Sequence, residues 1–345
     1  MSTDLPYIED PDALVGGNAV RLQRNGREVF PAWLAAIEAA RTRVSLEMYI
    51  FSDDKIGRRF ADALVRAAAR GAAVRLLYDF VGCRDTPAAF FRRLRGGGVH
   101  TIAYHRIRPW RPRFWTLWRR NHRKTLVCDG RVAFVGGLNI SDEWLDEAEG
   151  GGGWHDAAVQ IEGPAVAEIE RTFALTWNRR ARRAARLLPE ALVAAAPAGD
   201  VRLAVVANAE LRERFTIRRT GIHAARNARR RVHLSNPYFV PDRGIVRSLE
   251  AAAARGIDVR LLVPRVSDAW LLDLAARAVF EPLLRAGVRI WRSTAFIHTK
   301  VLVVDDGFVS LGSYNLDHRS LHYNLELVVN VLDAPFNAAA VEMIG

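Results

Sequence analysis

His122-Arg-Lys124-Thr-Leu-Val-Cys-Asp129 and His298-Thr-Lys300-Val-Leu-Val-Val-Asp305 are two copies of one pattern. In each, a histidine and a lysine two residues apart lead into a short apolar, β-prone run that ends on an aspartate beside a tight turn, Asp129-Gly130 and Asp306-Gly307. A run of that length and composition reads as a buried strand, and the turn joins it to a second one. Residues i and i+2 of a strand share a face, so each histidine projects beside its lysine. The return strands end in Gly136-Gly-Leu-Asn139 and Gly312-Ser313-Tyr-Asn315. Asn139 and Asn315 are thereby expected to approach the same pocket.

The likeness extends outward from these motifs. The strand Val44-Ser-Leu-Glu-Met-Tyr-Ile-Phe51 has its counterpart in Val232-His-Leu-Ser-Asn-Pro-Tyr-Phe239. Each is followed by a polar turn and an Ala-rich helix, then by Ala68-Ala-Arg-Gly-Ala-Ala-Val-Arg-Leu-Leu77 or Ala253-Ala-Arg-Gly-Ile-Asp-Val-Arg-Leu-Leu262. Gly71 and Gly256 stand where a helix takes its C′ residue. A further helix ends near Gly98-Val99 and Gly287-Val288, ahead of the motif strands. The predicted order is β-α-β-α-β-β-α in both halves: an α/β chain written as two tandem sandwich domains, 1–190 and 191–345. The Ala- and Pro-rich stretch 188–200 reads as the connector.

Size and composition agree with this. The 345 residues suit two domains, and half of them are hydrophobic, enough for a sizeable core. The formal charge of +12 attracts polyanions, whether nucleic acid or an anionic lipid surface. Only three of the 50 Lys and Arg residues are lysines, and two of those, Lys124 and Lys300, stand in the motifs. Cys83 and Cys128 form no metal-spaced cluster, so they read as reduced, buried thiols and not as a disulfide or zinc site. The opening MSTDLPYIEDPDALVGG lacks the apolar core of a signal peptide, and no run approaches the roughly 20 apolar residues that span a bilayer. The expected location is peripheral, at a bacterial cell membrane, and otherwise cytoplasmic.

HxK(x)4D followed by G-[GS]-x-N, twice in one chain, resembles the phospholipase D superfamily. Gly17-Asn-Ala-Val-Arg-Leu-Gln-Arg-Asn-Gly26, Leu46-Glu-Met-Tyr-Ile-Phe51, Trp154-His-Asp156, Ile161-Glu-Gly-Pro164 and the two G-[GS]-x-N segments are similar to bacterial cardiolipin synthases of the short type without membrane-spanning helices. The resemblance covers nearly the whole chain, although it stops at Gly345 where such proteins usually carry a longer final helix. It implies two phospholipase D-like domains packed with pseudo-twofold symmetry around one site, phosphatidyl transfer through a covalent phosphohistidine, and no metal or other cofactor.

The residue types suit that chemistry. A phosphodiester anion repels nucleophiles, so the site must supply positive charge. Lys124 and Lys300 bring it from two sides, and Asn139, Asn315 and Ser313 add neutral donors to the transferring phosphoryl group. One imidazole attacks phosphorus and the other protonates the departing alcohol, then turns base for the incoming hydroxyl. The resemblance favours His122 as nucleophile and His298 as acid and base, whereas the near-symmetric residues themselves leave either assignment open. A histidine in such a role needs a carboxylate to orient it. Glu326 lies where the family places one, and Asp156 is the corresponding candidate in the first half, with a polar strand-start residue as its plainer reading. Asp129 and Asp305 belong to the motif and complete the site set, read as binding the fold at their turns without transferring protons. Glu47 could line the pocket, but Asn236 stands at its counterpart and no role is assigned.

Between residues 106 and 123 seven arginines (106, 108, 111, 113, 119, 120 and 123) interleave with Trp110, Phe114, Trp115 and Trp118. Such a segment suits entry of anionic lipid from a membrane surface. Basic-aromatic interleaving also suits single-stranded nucleic acid, and an Arg-rich loop packed on its own domain is the plain alternative. Three functions follow: phosphatidyl transfer between lipids, hydrolysis as a phospholipase D or nuclease, and a binding scaffold on a dead site. Intact His, Lys and Asn pairs argue against the third.

Overall fold

The computed structural model describes residues 6–107, 118–181, 186–187, 192–208, 215–266 and 270–345. The first half runs β1 (Val15–Arg24), α1 (Asn25–Ala39), β2 (Arg43–Met48), α2 (Lys55–Ala69), β3 (Ala73–Asp79), α3 (Ala88–Gly96) and β4 (His100–Tyr104). It closes with β5 (Thr125–Cys128), β6 (Val132–Gly136), β7 (Ala157–Glu162) and α4 (Val166–Asn178). The second half repeats that order: β8 (Val201–Ala207), α5 (Thr216–Arg226), β9 (Arg231–Ser235), α6 (Arg243–Ala254), β10 (Asp258–Pro264), α7 (Trp270–Arg285) and β11 (Arg289–Ser293). Then come β12 (Val301–Val304), β13 (Phe308–Gly312), the short α8 (His318–His322), β14 (Leu327–Leu332) and α9 (Ala334–Ile344).

Local sequence explains the helices. In α2 the buried Ile56, Phe60, Ala63, Leu64 and Ala67 recur at helical spacing on one face. Asp54 caps its start by accepting from the Gly57 amide at 2.8 Å, and Asp242 does the same for α6 from Gly244 at 2.7 Å. Gly71 and Gly256 follow the ends with φ of +95° and +81°. That is the left-handed geometry a helix stop needs and a side chain resists.

Among the described residues, fourteen strands form one sheet in the order β11-β10-β9-β12-β13-β14-β8-β1-β7-β6-β5-β2-β3-β4. Read from the middle outward, each half lists equivalent strands in the same order, and the antiparallel β1–β8 pair is the seam. The sheet folds across that seam, so that Val127, Val135 and Val159 of the first half share one apolar cluster with Val301, Leu311 and Val329 of the second. Residues of alternate parity, such as Leu46 and Leu126, face the separate core under α1 and α2. Cys83 and Cys128 are free and buried, as expected.

Three differences from the sequence reading concern strands. It omitted β1 and β8, the edge strands β4 and β11, and β7 and β14, giving two strands after α3 where the chain forms four. β4 is half exposed and carries no clean alternation, and β1 opens on Gly16-Gly17, a composition that disfavours strands. The boundary between 190 and 191 lies outside the described residues.

Both motif aspartates lie at their hairpin turns, where backbone amides surround them. Asp129 accepts from the amides of Arg41, Thr42 and Arg43 at 2.8–2.9 Å and from the Thr42 hydroxyl. Asp305 accepts from the amides of Arg229, Arg230 and Arg231 and from the Tyr7 hydroxyl at 2.6 Å. Each ties the end of its motif strand to the residues leading into β2 or β9. Five residues of strand, about 16 Å, separate them from Lys124 and Lys300. They are anchors of the hairpin and not members of a reacting group.

Candidate active site

The motif histidines lie where the strands of one half are sewn to the other. The His122 amide donates to the Leu325 carbonyl at 2.9 Å, and the Leu325 amide donates back to Arg120 at 2.9 Å. Symmetrically, His298 donates to the His155 carbonyl at 2.7 Å while His155 donates to Phe296 at 2.9 Å. Each exchange forms a single parallel bridge, Asn121 with Leu325 and His155 with Ile297. Both bridges place a histidine of one half beside the residue that precedes a carboxylate of the other.

The carboxylates therefore pair crosswise. Nδ1 of His122 lies 3.0 and 3.1 Å from the two oxygens of Glu326, and Nδ1 of His298 lies 2.6 Å from Oδ2 of Asp156. All four side chains are buried. Glu326 is also held by the hydroxyl of Ser320 at 2.8 Å, by Ser313, and by Asn324 at 3.2 Å. Asp156 is held by the Trp144 indole at 3.2 Å and the Ala157 amide at 2.9 Å. With Nδ1–H donated to a carboxylate, each imidazole keeps its Nε2 lone pair for chemistry.

Charge is concentrated and dry here. The Lys124 ammonium donates to the His122 carbonyl at 2.7 Å and lies 5.2 Å from the Tyr49 ring centroid. Lys300 Nζ donates to the His298 carbonyl, 2.7 Å from His298 Nδ1 and 3.8 Å from Asp156. Burial drives Lys124 well below its ordinary value, against the opposing pull of Glu326. Burial likewise lowers His122, and with Lys300 beside it lowers His298 to about 3. For Glu326 and Asp156 burial acts upward, but the pairing with the facing histidine and the nearby lysine outweighs it, and both are held below their ordinary values. Two lysines and two carboxylates thus share one buried site, where burial favours the neutral form of each imidazole.

Of the remaining residues named from sequence, Asn139 and Asn315 are buried at the ends of the return strands. Asn139 accepts from the Ile50 amide at 3.1 Å, which leaves its NH2 group to donate. The Asn315 side-chain oxygen is buried with no partner among the described residues. The Ser313 hydroxyl donates to Glu326 and receives the Leu327 amide at 3.1 Å, so it holds the carboxylate in this structure. The aromatic and basic segment is described in part. Trp110, Phe114, Trp115 and the arginines 108, 111 and 113 lie outside the described residues. Trp118 is 58% exposed and lies 6.2 Å from the Tyr323 ring. Arg120 and Arg123, however, are fully interior: Arg120 pairs with buried Asp79, and Arg123 donates to the Asn208 carbonyl at 2.9 Å and the Glu326 carbonyl at 3.2 Å.

Several residues around the site have no role in the sequence reading. Tyr49 stands edge-on to His122, and Trp144 and Trp154 flank His298. Glu47 is buried and accepts from Asn121 at 2.7 Å, which fixes the residue before His122. Gly137 has a steric reason: a Cβ there would meet Asp156 Oδ1 at 2.3 Å. The signal available for it was its alignment with Ser313, the other small residue facing a carboxylate. Among the described residues no group of three or more His, Cys, Asp or Glu is placed to hold a metal.

Two half-sites, each giving one histidine, one lysine and the other half's orienting carboxylate, define a phosphoryl-group transferase of the phospholipase D type. Residues 33–177 and 222–344 match the family described as cardiolipin synthase, PLD-like domain. The chain is 38% identical over 323 residues to cardiolipin synthase A of Pseudomonas putida strain GB-1, covering 93% of this chain and 67% of that protein. It is 34% identical over 341 residues to cardiolipin synthase A of Pseudomonas syringae pv. syringae strain B728a, covering 99% and 70%. In fold it is similar to phosphatidylserine synthase of Haemophilus influenzae Rd KW20, with a TM-score of 0.69, 16% identity, and coverage of 93% of this chain and 83% of that one. The chain belongs to the cardiolipin synthase family of phospholipase D-like proteins and is a phosphatidyltransferase. No helix among the described residues is long and apolar enough to cross a membrane.

Proposed function

We propose that the protein transfers the phosphatidyl group of one phosphatidylglycerol to a hydroxyl of a second, releasing glycerol and forming cardiolipin through a phosphohistidine. The crosswise pairing of His122 with Glu326 and His298 with Asp156 carries this reading. It leaves each imidazole, held through Nδ1 by a carboxylate of the other half, with Nε2 unengaged by that pairing and available to react. In the first step His122 Nε2 attacks phosphorus, the N–P bond forms and the P–O bond to glycerol breaks. His298, protonated as the phosphodiester anion raises its proton affinity, gives that proton to the leaving oxygen. In the second step His298 takes the proton of the incoming lipid hydroxyl, the new O–P bond forms and the N–P bond breaks. Lys124 and Lys300 stabilise charge on the equatorial oxygens in both steps. The assignment of nucleophile to His122 follows the family.

The lipid is drawn from a membrane surface, a reading supported by the exposed Trp118 and Tyr323, which precede His122 and Glu326 by a few residues. The test incubates purified protein with headgroup-labelled phosphatidylglycerol vesicles and resolves cardiolipin, phosphatidic acid and glycerol. Cardiolipin with equimolar glycerol is expected. Phosphatidic acid as sole lipid product would make the enzyme a hydrolase, and cleavage of DNA with no lipid turnover would remove the lipid reading. Phosphate-labelled lipid should leave acid-labile label on the protein, lost in His122→Ala.

A further inference from the structure

The two halves fill their outer layers differently. The anchors at Asp129 and Asp305 fix the register, because Arg41, Thr42 and Arg43 match Arg229, Arg230 and Arg231. Counting back from them, Trp33 on α1 corresponds to Gly221 on α5. Counting from the motif histidines, Leu126 and Phe134 correspond to Leu302 and Ser310, and each pair is opposed across its hairpin. Counting back from Gly71 and Gly256, Phe60 on α2 corresponds to Ile245 on α6. In the first half Trp33 packs on Phe60 and Phe134 with ring centroids 6.4 and 5.8 Å apart, and Leu126 and Phe134 are buried. In the second half, tryptophan and two phenylalanines give way to glycine, isoleucine and serine, and a cavity opens.

That cavity includes about 80 Å³ reachable by the centre of a water molecule, within a void of about 640 Å³ counting its open mouth. One water needs roughly 10–15 Å³ by the same measure. Its walls include Ile222, Leu249, Leu302 and Tyr314. A Cβ added at Gly221 would find nothing nearer than Leu302 Cδ2 at 3.9 Å, so the glycine is not required by close packing. A glycine inside a helix weakens it, and an unfilled apolar space forfeits contacts. Lys300 lies two residues before Leu302 on the same strand face and lines the cavity, while its ammonium lies at His298. Lys300 is therefore shared between the reaction site, where its ammonium lies, and the wall of a mostly apolar cavity, a juxtaposition of cation and apolar space that suits a phospholipid.

We infer that this cavity encloses part of an acyl chain of a phospholipid whose phosphate lies between the two histidines. The inference rests on the lipid reading above and goes beyond it. The matching place in the first half is filled by aromatic rings, so one lipid chain per site is enclosed and the two lipids of a transfer are held differently.

The test uses the whole protein with phosphatidylglycerol carrying a diazirine near the end of one acyl chain. After irradiation, label is expected in residues 217–225 or 245–249. Label confined to other segments overturns the inference. Ser310→Phe and Gly221→Leu, which restore bulk, should each lower the ratio of rates on sixteen-carbon and six-carbon diacyl lipid by about tenfold. An unchanged ratio in a variant with the wild-type melting temperature also overturns it. Failure of the two readings is distinguishable: label in the cavity without cardiolipin formation removes only the transferase reading, and cardiolipin formation with label elsewhere removes only the acyl site.

Discussion

At the scale of single residues, each carboxylate belongs functionally to the opposite half. Asp156→Asn should impair His298, and Glu326→Gln should impair His122, by roughly 10²–10⁴-fold in kcat. In the mechanism proposed here the two losses differ in kind. Glu326→Gln slows formation of the phosphoenzyme for every substrate, whereas Asp156→Asn is relieved by a lipid with an acidic leaving group that needs no proton. Equal losses on such a lipid would refute the division of roles. Stability carries a second mark of the same residues. His298 is held to about 3 in the folded chain against an ordinary 6.5, so between those values the unfolded chain binds the extra proton. Stability then rises with pH across that window and is lost on acidification. Lowering the pH from 7 to 5 should cost about 2 kcal/mol from this group alone. Urea titrations at both pH values should show a smaller loss in His298→Gln, and an identical loss in the variant would contradict the buried, neutral imidazole.

At the scale of elements, the hairpin β5–β6 separates anchoring from chemistry. Asp129→Ala strips three amides of their acceptor and should lower stability by about 1–3 kcal/mol while leaving kcat within a few-fold. Gly137→Ala should do the reverse, since the added methyl group collides with the Asp156 carboxylate and not with the core. A fall in activity of about a hundredfold is expected, with a melting temperature close to wild type. A variant as active as wild type would show that the carboxylate can move without consequence. These two roles were unequally legible in sequence. Asp129 ends a motif strand at a turn, which a pattern of apolar residues shows directly. Gly137 and Ser313 stand at equivalent places, but the carboxylates they accommodate arrive from β7 and β14, strands that the sequence reading did not separate. Arg120 and Arg123 belong to a basic and aromatic run whose sequence suits lipid entry or a loop packed on its own domain alike, and their burial follows from Asp79, Asn208 and Glu326, partners distant in sequence.

At the scale of the whole molecule, duplication was legible because both halves repeat the same strand and helix text, and it correctly implied one shared site. The crosswise pairing was not, because it depends on the sheet folding across a β1–β8 seam that no local pattern announces. That seam offers the last prediction. Asn18 is buried there, donating to the Val15 carbonyl at 2.7 Å and the Val201 carbonyl at 3.2 Å and accepting from the Ala165 amide at 2.9 Å. One side chain thus joins β1, β8 and the start of α4. Asn18→Ala leaves these groups unpaired in the interior, at about 1–3 kcal/mol for each that finds no water. Leu94→Ala, in α3 under the far core, should destabilise by a comparable 2–5 kcal/mol through a cavity. Both variants should melt earlier, but only loosening the seam shifts His122 against Glu326 and His298 against Asp156. Measured well below either melting temperature, kcat should fall at least tenfold in Asn18→Ala and stay near wild type in Leu94→Ala. Equal kcat values in the two would mean that the halves find their register without the seam, and that the parallel bridges at His122 and His298 suffice to align the site.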